Sequence, residues 1–155
     1  MKPKLLLAVI LSAGAMFVLA AIFKTGKENE AGIIRLEINN VGLEAELADT
    51  AEKRTAGLSG REKLPENQGM LFIFDAPAYY HFWMKNMKFP IDIIWINKDK
   101  KIADIVRNAA PESYPEIFKP SQAAQYVLEV NAGFTEQHQI KIGETVDFQH
   151  NLVLK

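Results

Sequence analysis

The sequence predicts a mostly-β domain, a small closed or partly open barrel with one or two short helices, behind an N-terminal membrane helix or signal segment. Three observations predict it. From Ile33 onward, short alternating or wholly apolar runs recur between Asn-, Gly- and Pro-rich turns, and many short strands with little helix between them define a mostly-β class. Several runs, such as GMLFIF (Gly69–Phe74), are apolar on both faces, which suits a curled sheet better than a single exposed one. Ahead of all this stands an uncharged apolar run from Leu5 to Phe23, behind Lys2 and Lys4.

That nineteen-residue run would span about 29 Å as a helix, close to a bilayer's hydrocarbon thickness. It has no polar face, so it is not a core helix. A cleaved signal peptide has a shorter apolar region ending at small residues, and Val18-Leu19-Ala20 or Leu19-Ala20-Ala21 would serve as such an end. The length favours an uncleaved anchor, and both readings stay open. Under either, Lys2 and Lys4 remain cytoplasmic and the rest is exported, to the outer face of the membrane or the periplasm. No cysteine follows the run, which excludes a lipoprotein anchor. The chain thus divides into residues 1–23, a polar tether over 24–32, and an exported domain over 33–155.

Within that domain, IIRLEI (Ile33–Ile38) and GLEAELA (Gly42–Ala48) alternate apolar and charged residues around Asn39-Asn40, a hairpin pattern. Asp49, with Glu52 three residues on, fits a capping box opening a helix from Thr50 to about Ala56 that ends near Gly57 or Gly60. GMLFIF is the next strand. Tyr79–Met84 and Ile91–Asn97 read as two more, the latter forming a hairpin with Lys101–Val106 across Asn97–Lys100. Pro111, Pro115 and Pro120 make residues 108–122 a long irregular loop. Ala124–Val130 is a buried strand, Gly133–Gln139 holds a helical turn, and Thr145–His150 is the last strand.

Composition narrows the function. Of 155 residues, 48% are hydrophobic and 24% charged, the balance of a globular chain and not a disordered one. The 18 basic residues, two of them in the head, do not outnumber the 19 acidic ones, and no basic stripe marks a nucleic-acid binder. The absence of cysteine removes disulfides, thiolate metal sites and a cysteine nucleophile. His81, His138 and His150 are scattered without ligand spacing, so neither metal nor cofactor is expected.

GLSGREKLPENQGMLFIF, FWMKNMKFPIDIIWI and YVLEVNAGF, in that order, resemble the domain-of-unknown-function 192 family of small, often exported bacterial and archaeal proteins. The likeness runs from about Glu44 to Phe148. Its pattern falls on Gly57, Leu58, Arg61, Gly69, Met70, Phe82, Trp83, Met84, Lys85, Asn86, Pro90, Asp92, Glu129, Ala132 and Gly133. The resemblance implies a β-rich exported fold and no activity. Some members carry a cysteine pair in the proline-rich loop, where this chain has APESYPEIFKP (Ala110–Pro120).

Polar residues inside apolar runs are the candidate site, because an ionised group is seldom buried alone. Lys85, Asn86 and Asp92 interrupt HFWMKNMKFPIDIIWI, and Glu129 interrupts AQYVLEV. If the two flanking strands pair, Lys85 or Asn86 reaches Asp92, while Arg61 is a candidate partner for either acid. A purely structural account has Asn86 capping the turn, Asp92 binding backbone amides and Glu129 paired with Arg61. The functional account makes Trp83 an apolar wall, with Arg61, Lys85, Asn86, Asp92 and Glu129 supplying polar contacts.

Ser59 in GLSGRE lacks the setting of a nucleophile elbow, and no phosphate-cradling loop occurs. The leading expectation is a tethered binding module for a small polar ligand or peptide. A structural or interaction protein of the envelope is the second, and a hydrolase using Asp92 and Glu129 the third.

Overall fold

Asn39 and Asn40 both take left-handed backbone angles, with φ of 56° and 63°, the geometry a two-residue hairpin turn demands. They join β1 (Ile33–Ile38) to β2 (Val41–Ala48) in register, Ile38 opposite Val41 and Ile34 opposite Ala45. The computed structural model describes residues 32–148. The anchor or signal expected over Leu5–Phe23, the tether up to Ala31, and His150 lie outside the described residues. Among the described residues no helix is long and apolar enough to cross a membrane.

Helix α1 (Ala51–Ala56) follows β2. Its N-cap is Thr50, not Asp49: the Thr50 hydroxyl accepts from Lys53 N–H, and the Asp49 carboxylate pairs with the Lys53 ammonium at 2.7 Å. The helix therefore starts one residue later than the capping-box reading placed it. β3 (Gln68–Ala78) returns parallel to β2, and its Gly69 lies so close to the facing strand that a Cβ there would stand 2.8 Å from the Glu129 carbonyl oxygen. Only glycine fits this approach.

β4 (Ile91–Ile96), β5 (Ile102–Ala109), β6 (Ala124–Asn131) and β7 (Val146–Phe148) complete a seven-stranded sheet in the order β5-β4-β6-β3-β2-β1-β7. Short helix α2 (Phe134–Gln137) follows β6. The sheet curls into a half-barrel, and its two edge strands are stitched near one end. Val146 N–H donates to Lys100 C=O at 2.8 Å, and Ile102 N–H to Glu144 C=O at 2.9 Å.

The partly open barrel expected for doubly apolar strands is thus observed, because β4 and β6 are buried on both faces. One core draws on all seven strands, with Leu36, Leu71, Ile94 and Leu128 at its heart. A second, on the other face, packs Phe72, Ile93, Trp95 and Val127 under Leu58 and Met84.

The strand expected over Tyr79–Met84 does not form. Residues 79–90 run as a loop, held to the proline-rich segment by a single bridge in which Phe82 and Phe118 exchange backbone hydrogen bonds of 2.9 Å. The aromatic residues that suggested a strand instead cover the outer face. Phe82 meets Phe72 and Trp95 edge-on, at 4.9 and 6.0 Å between ring centroids, and Trp95 Nε1 donates to Tyr80 C=O.

Candidate functional site

Register decides which polar residues can meet. On paired strands, directly opposed residues share a face. Ile33, Glu46, Met70, Glu129 and Ile93 form one row across β1, β2, β3, β6 and β4, on the outer face. Asp92 is opposed to Val130, which belongs to the inner core. The two acids therefore lie on opposite sides of the sheet.

Asp92 is fully buried and fully engaged. Its carboxylate accepts from Asn108 N–H at 2.9 Å, Gly133 N–H at 3.2 Å, Thr135 N–H at 2.9 Å and the Thr135 hydroxyl at 2.7 Å. It ties β5 and the start of α2 to β4. The expectation that Lys85 or Asn86 would partner it is wrong, because the hairpin that would have aligned them is absent, and Arg61 is engaged by Glu46 instead. The backbone-amide role of the structural account is the one observed.

Lys85 and Asn86 act through their main chain. The Lys85 carbonyl accepts from the Ser59 hydroxyl at 3.0 Å, and the Asn86 carbonyl from Gly60 N–H at 2.8 Å, with Asn86 at φ 58°. These bonds fasten the turn after α1 to the 79–90 loop. The Lys85 ammonium is exposed and stands 5.8 Å from the centre of the Trp83 ring, a cation–π distance.

Arg61 does not pair with Glu129. Its guanidinium grips Glu46 in a two-point ion pair of 2.5 and 2.8 Å. That bond holds the Glu46 carboxyl below its usual range and raises Arg61 further. Glu46 is two strands from Glu129, about 9 to 10 Å of sheet, with Met70 between them. Arg61 thus exerts only a through-space pull on Glu129.

Glu129 is the exception in this fold. Its residue is 95% buried, and Oε2 has no hydrogen-bond partner among the described residues. Burial pushes its carboxyl up to about 8, against the weaker lowering by Arg61. The group is thus largely a neutral carboxylic acid at pH 7. Asp92, the other acid in an apolar run, has both carboxyl oxygens engaged by three amides and a hydroxyl.

Glu129 lies at a cleft of about 330 Å³ on the outer face. α1 and its following turn supply one side through Arg54, Thr55 and Ser59; the loop 79–90 supplies Tyr80, His81, Phe82 and Trp83; β3 supplies Phe72 and Phe74. Tyr80 stacks on Phe74 at 3.4 Å between centroids, and the Arg54 guanidinium lies 5.3 Å from the same ring. Arg54 donates to the carbonyls of Asp49 and Ile73 at 3.0 and 2.8 Å. Trp83 is 55% exposed at the rim, edge-on to Tyr114.

Of the six residues the sequence singled out, the cleft brings together Trp83 and Glu129 by their side chains. Lys85 and Asn86 brace its wall, Arg61 stands outside on Glu46, and Asp92 belongs to the other face. Arg54, Phe72, Phe74, Tyr80 and Phe82 were missed as lining residues. The aromatic density of FIF and YYHFW (Tyr79–Trp83) was the available signal, hidden because both read as strand. No group of metal-binding side chains occurs among the described residues.

The fold and site define a β half-barrel domain with an aromatic cleft over a buried acid. The model of the domain-of-unknown-function 192 family, described as Uncharacterized ACR, matches residues 34–148, and the chain belongs to that family. A crystal structure from Sinorhizobium meliloti, described as a candidate transcription regulator, is 32% identical, with a TM-score of 0.69 over 76% of this chain and 92% of that one. A protein of unknown function from Novosphingobium aromaticivorans is 29% identical, with a TM-score of 0.68 over 75% and 83% of the two chains. No curated protein matches.

Proposed function

We propose that this chain is an exported, membrane-tethered binding module that holds a small ligand in the outer-face cleft. The observation that carries the reading is Glu129 Oε2, buried and without a partner among the described residues, on a residue that lines a cleft rich in aromatic rings. An orphaned buried polar atom costs about 1–3 kcal/mol, and ligand pockets characteristically join apolar walls to a few such convergent groups. Arg54 supplies a second polar contact, and Trp83 an exposed ring for a ligand to cover.

A purely structural role is less well supported, because the polar group with a structural explanation is Asp92 and not Glu129. A hydrolase built on the pair Asp92 and Glu129 would need them to converge, whereas their strand positions set them on opposite faces. Nucleic acid is a poor partner for a chain of net charge −1, whatever the description of the Sinorhizobium protein.

The test is a small-fragment screen by amide chemical shifts. Binders should cluster on Phe72, Phe82 and Glu129, and Glu129→Leu and Trp83→Ala should each abolish them. Hits that map elsewhere, or that survive both changes, would remove the site. The tethered location rests on Lys2, Lys4 and the Leu5–Phe23 run. In cell fractionation a C-terminally tagged chain should appear with the membrane, exposed to protease from the outer side. Recovery from the cytosol would overturn that part.

A further inference from the structure

The binding reading leaves open what chemistry the ligand brings to Glu129, and the surrounding charges bear on it. Arg54 lines the cleft and donates to main-chain carbonyls instead of to a carboxylate. The Lys85 ammonium sits by the rim ring of Trp83. Arg61 lies beyond, neutralised by Glu46. β3 and β4 face Glu129 with Met70 and Ile93, neither of which titrates. His81 is exposed on the loop side of the cleft. Asp49 and Glu52 act on Arg54 from outside the lining, so among the lining residues Arg54 is the fixed positive charge, and Glu129 Oε2 has no hydrogen-bond partner among the described residues.

Resting on the binding reading, we propose that the cleft selects ligands presenting a carbonyl or carboxylate oxygen on a flat apolar body. Glu129 serves as the hydrogen-bond donor, and organic cations are excluded. Aromatic walls beside a buried acid would ordinarily suggest an ammonium site. Two features oppose that here. An ammonium would have to come in beside Arg54, and it would need Glu129 ionised in a place where burial disfavours the charge. An acceptor oxygen meets neither obstacle. It takes the hydrogen bond that Glu129 Oε2 does not make among the described residues, and a carboxylate also gains the Arg54 charge.

The proton on Glu129 makes the selection pH-linked. A group held up to about 8 is mostly protonated at pH 7 and mostly ionised at pH 9. Affinity for an acceptor ligand should then fall about tenfold between those values, whereas affinity for a fixed cation should rise. Three probes sharing a phenyl ring separate the cases: benzamide, benzoate and benzyltrimethylammonium. They would be titrated from pH 6 to pH 9.5 against the full-length chain in lipid nanodiscs, read by amide shifts.

Benzamide and benzoate are expected to shift Phe72, Phe82 and Glu129 and to weaken with rising pH. Glu129→Gln, which still donates but cannot ionise, should bind benzamide with the pH dependence gone. His81 also lines the cleft, so His81→Asn is free to change the affinity itself, but the fall between pH 7 and pH 9 should persist in it. Tighter binding of benzyltrimethylammonium, affinity that rises with pH, or an unaltered pH profile in Glu129→Gln would overturn the acceptor assignment while leaving a binding cleft. Failure of all three probes and of the wider fragment screen would bring down both.

Discussion

Glu129→Gln should stabilise the protein, and by an amount that grows with pH. In the folded state the carboxyl holds its proton up to about 8, against an ordinary 4.5. Between those values the folded chain carries one proton more than the unfolded chain, so stability falls as pH rises, by about 1.4 kcal/mol per unit. The loss is absent below pH 4.5 and complete above about 8. Glutamine has no proton to lose. Its advantage should be near zero at pH 4.5, about 3 kcal/mol at pH 7 and about 5 kcal/mol above pH 8.

The amide and the protonated acid each leave about one polar group unmatched, so that contribution cancels to within about 1 kcal/mol and does not vary with pH. Against a total stability of about 5–15 kcal/mol the expected gain is large. Urea titrations of both proteins at pH 5, 6, 7 and 8.5 measure it. A stability difference that stays flat across that range, or a wild type more stable than the variant at pH 8.5, would refute the buried-neutral-acid reasoning.

Asp92→Ala should lose about 3–5 kcal/mol in the same titrations, because it strands three amides and the Thr135 hydroxyl in the interior; a loss under 1 kcal/mol would mean that water reaches them. Gly69→Ala drives a methyl against the Glu129 carbonyl at 2.8 Å, so a loss of about 1–3 kcal/mol is expected in thermal melts, with β3 and β6 amides shifting most. Trp83→Ala removes a ring that is 55% exposed. It should therefore change stability by about 0.5 kcal/mol or less while eliminating cleft binding, and a large fall in melting temperature would reassign Trp83 to the core.

Much of the fold could be read from local pattern, since local pattern is where the strands at either end of the domain are encoded. The alternation of IIRLEI and GLEAELA and the Asn39-Asn40 turn are sufficient for the first hairpin, because turn chemistry and facing agree there. The Ile91–Ile96 and Ile102–Ala109 pair is readable for the same reason. Tyr79–Met84 misleads because aromatic alternation also arises where a loop lays rings on a sheet. Phe82 and Met84 turn inward while Tyr79 and Trp83 stay exposed, without a neighbouring strand to bond. β6 belongs between β3 and β4, although both precede it in the chain; no local signal carries that insertion.

The two acids show where the sequence stops being informative. Asp92 in IDIIWI and Glu129 in YVLEV look alike, each a lone carboxyl in an apolar strand. Their fates separate on a parity between strands: Asp92 is opposed to Val130 and Glu129 to Ile93, one residue out of phase. A slip of a single residue in that pairing would have set both on one face. Parity alone still leaves the chemistry undecided. Asp92 lies near the strand's start, where the end of β5 and the start of α2 present free amides. Glu129 lies mid-row, where its neighbours' amides are committed to the sheet and what faces it are side chains. Near an end of the sheet, loops can satisfy a buried acid with backbone. In the middle the partner has to be another side chain, a bound water or a ligand. Arg61, the side chain whose charge acts on Glu129, is anchored two strands away by Glu46. Glu46→Gln would loosen that anchor, and if Arg61 then turns to Glu129, the acid should ionise at lower pH and the pH-dependent loss of stability should shrink. A Glu129 titration by carboxyl carbon shifts that is identical in Glu46→Gln and wild type would show that the separation is fixed by the backbone of the 57–64 turn, not by the ion pair.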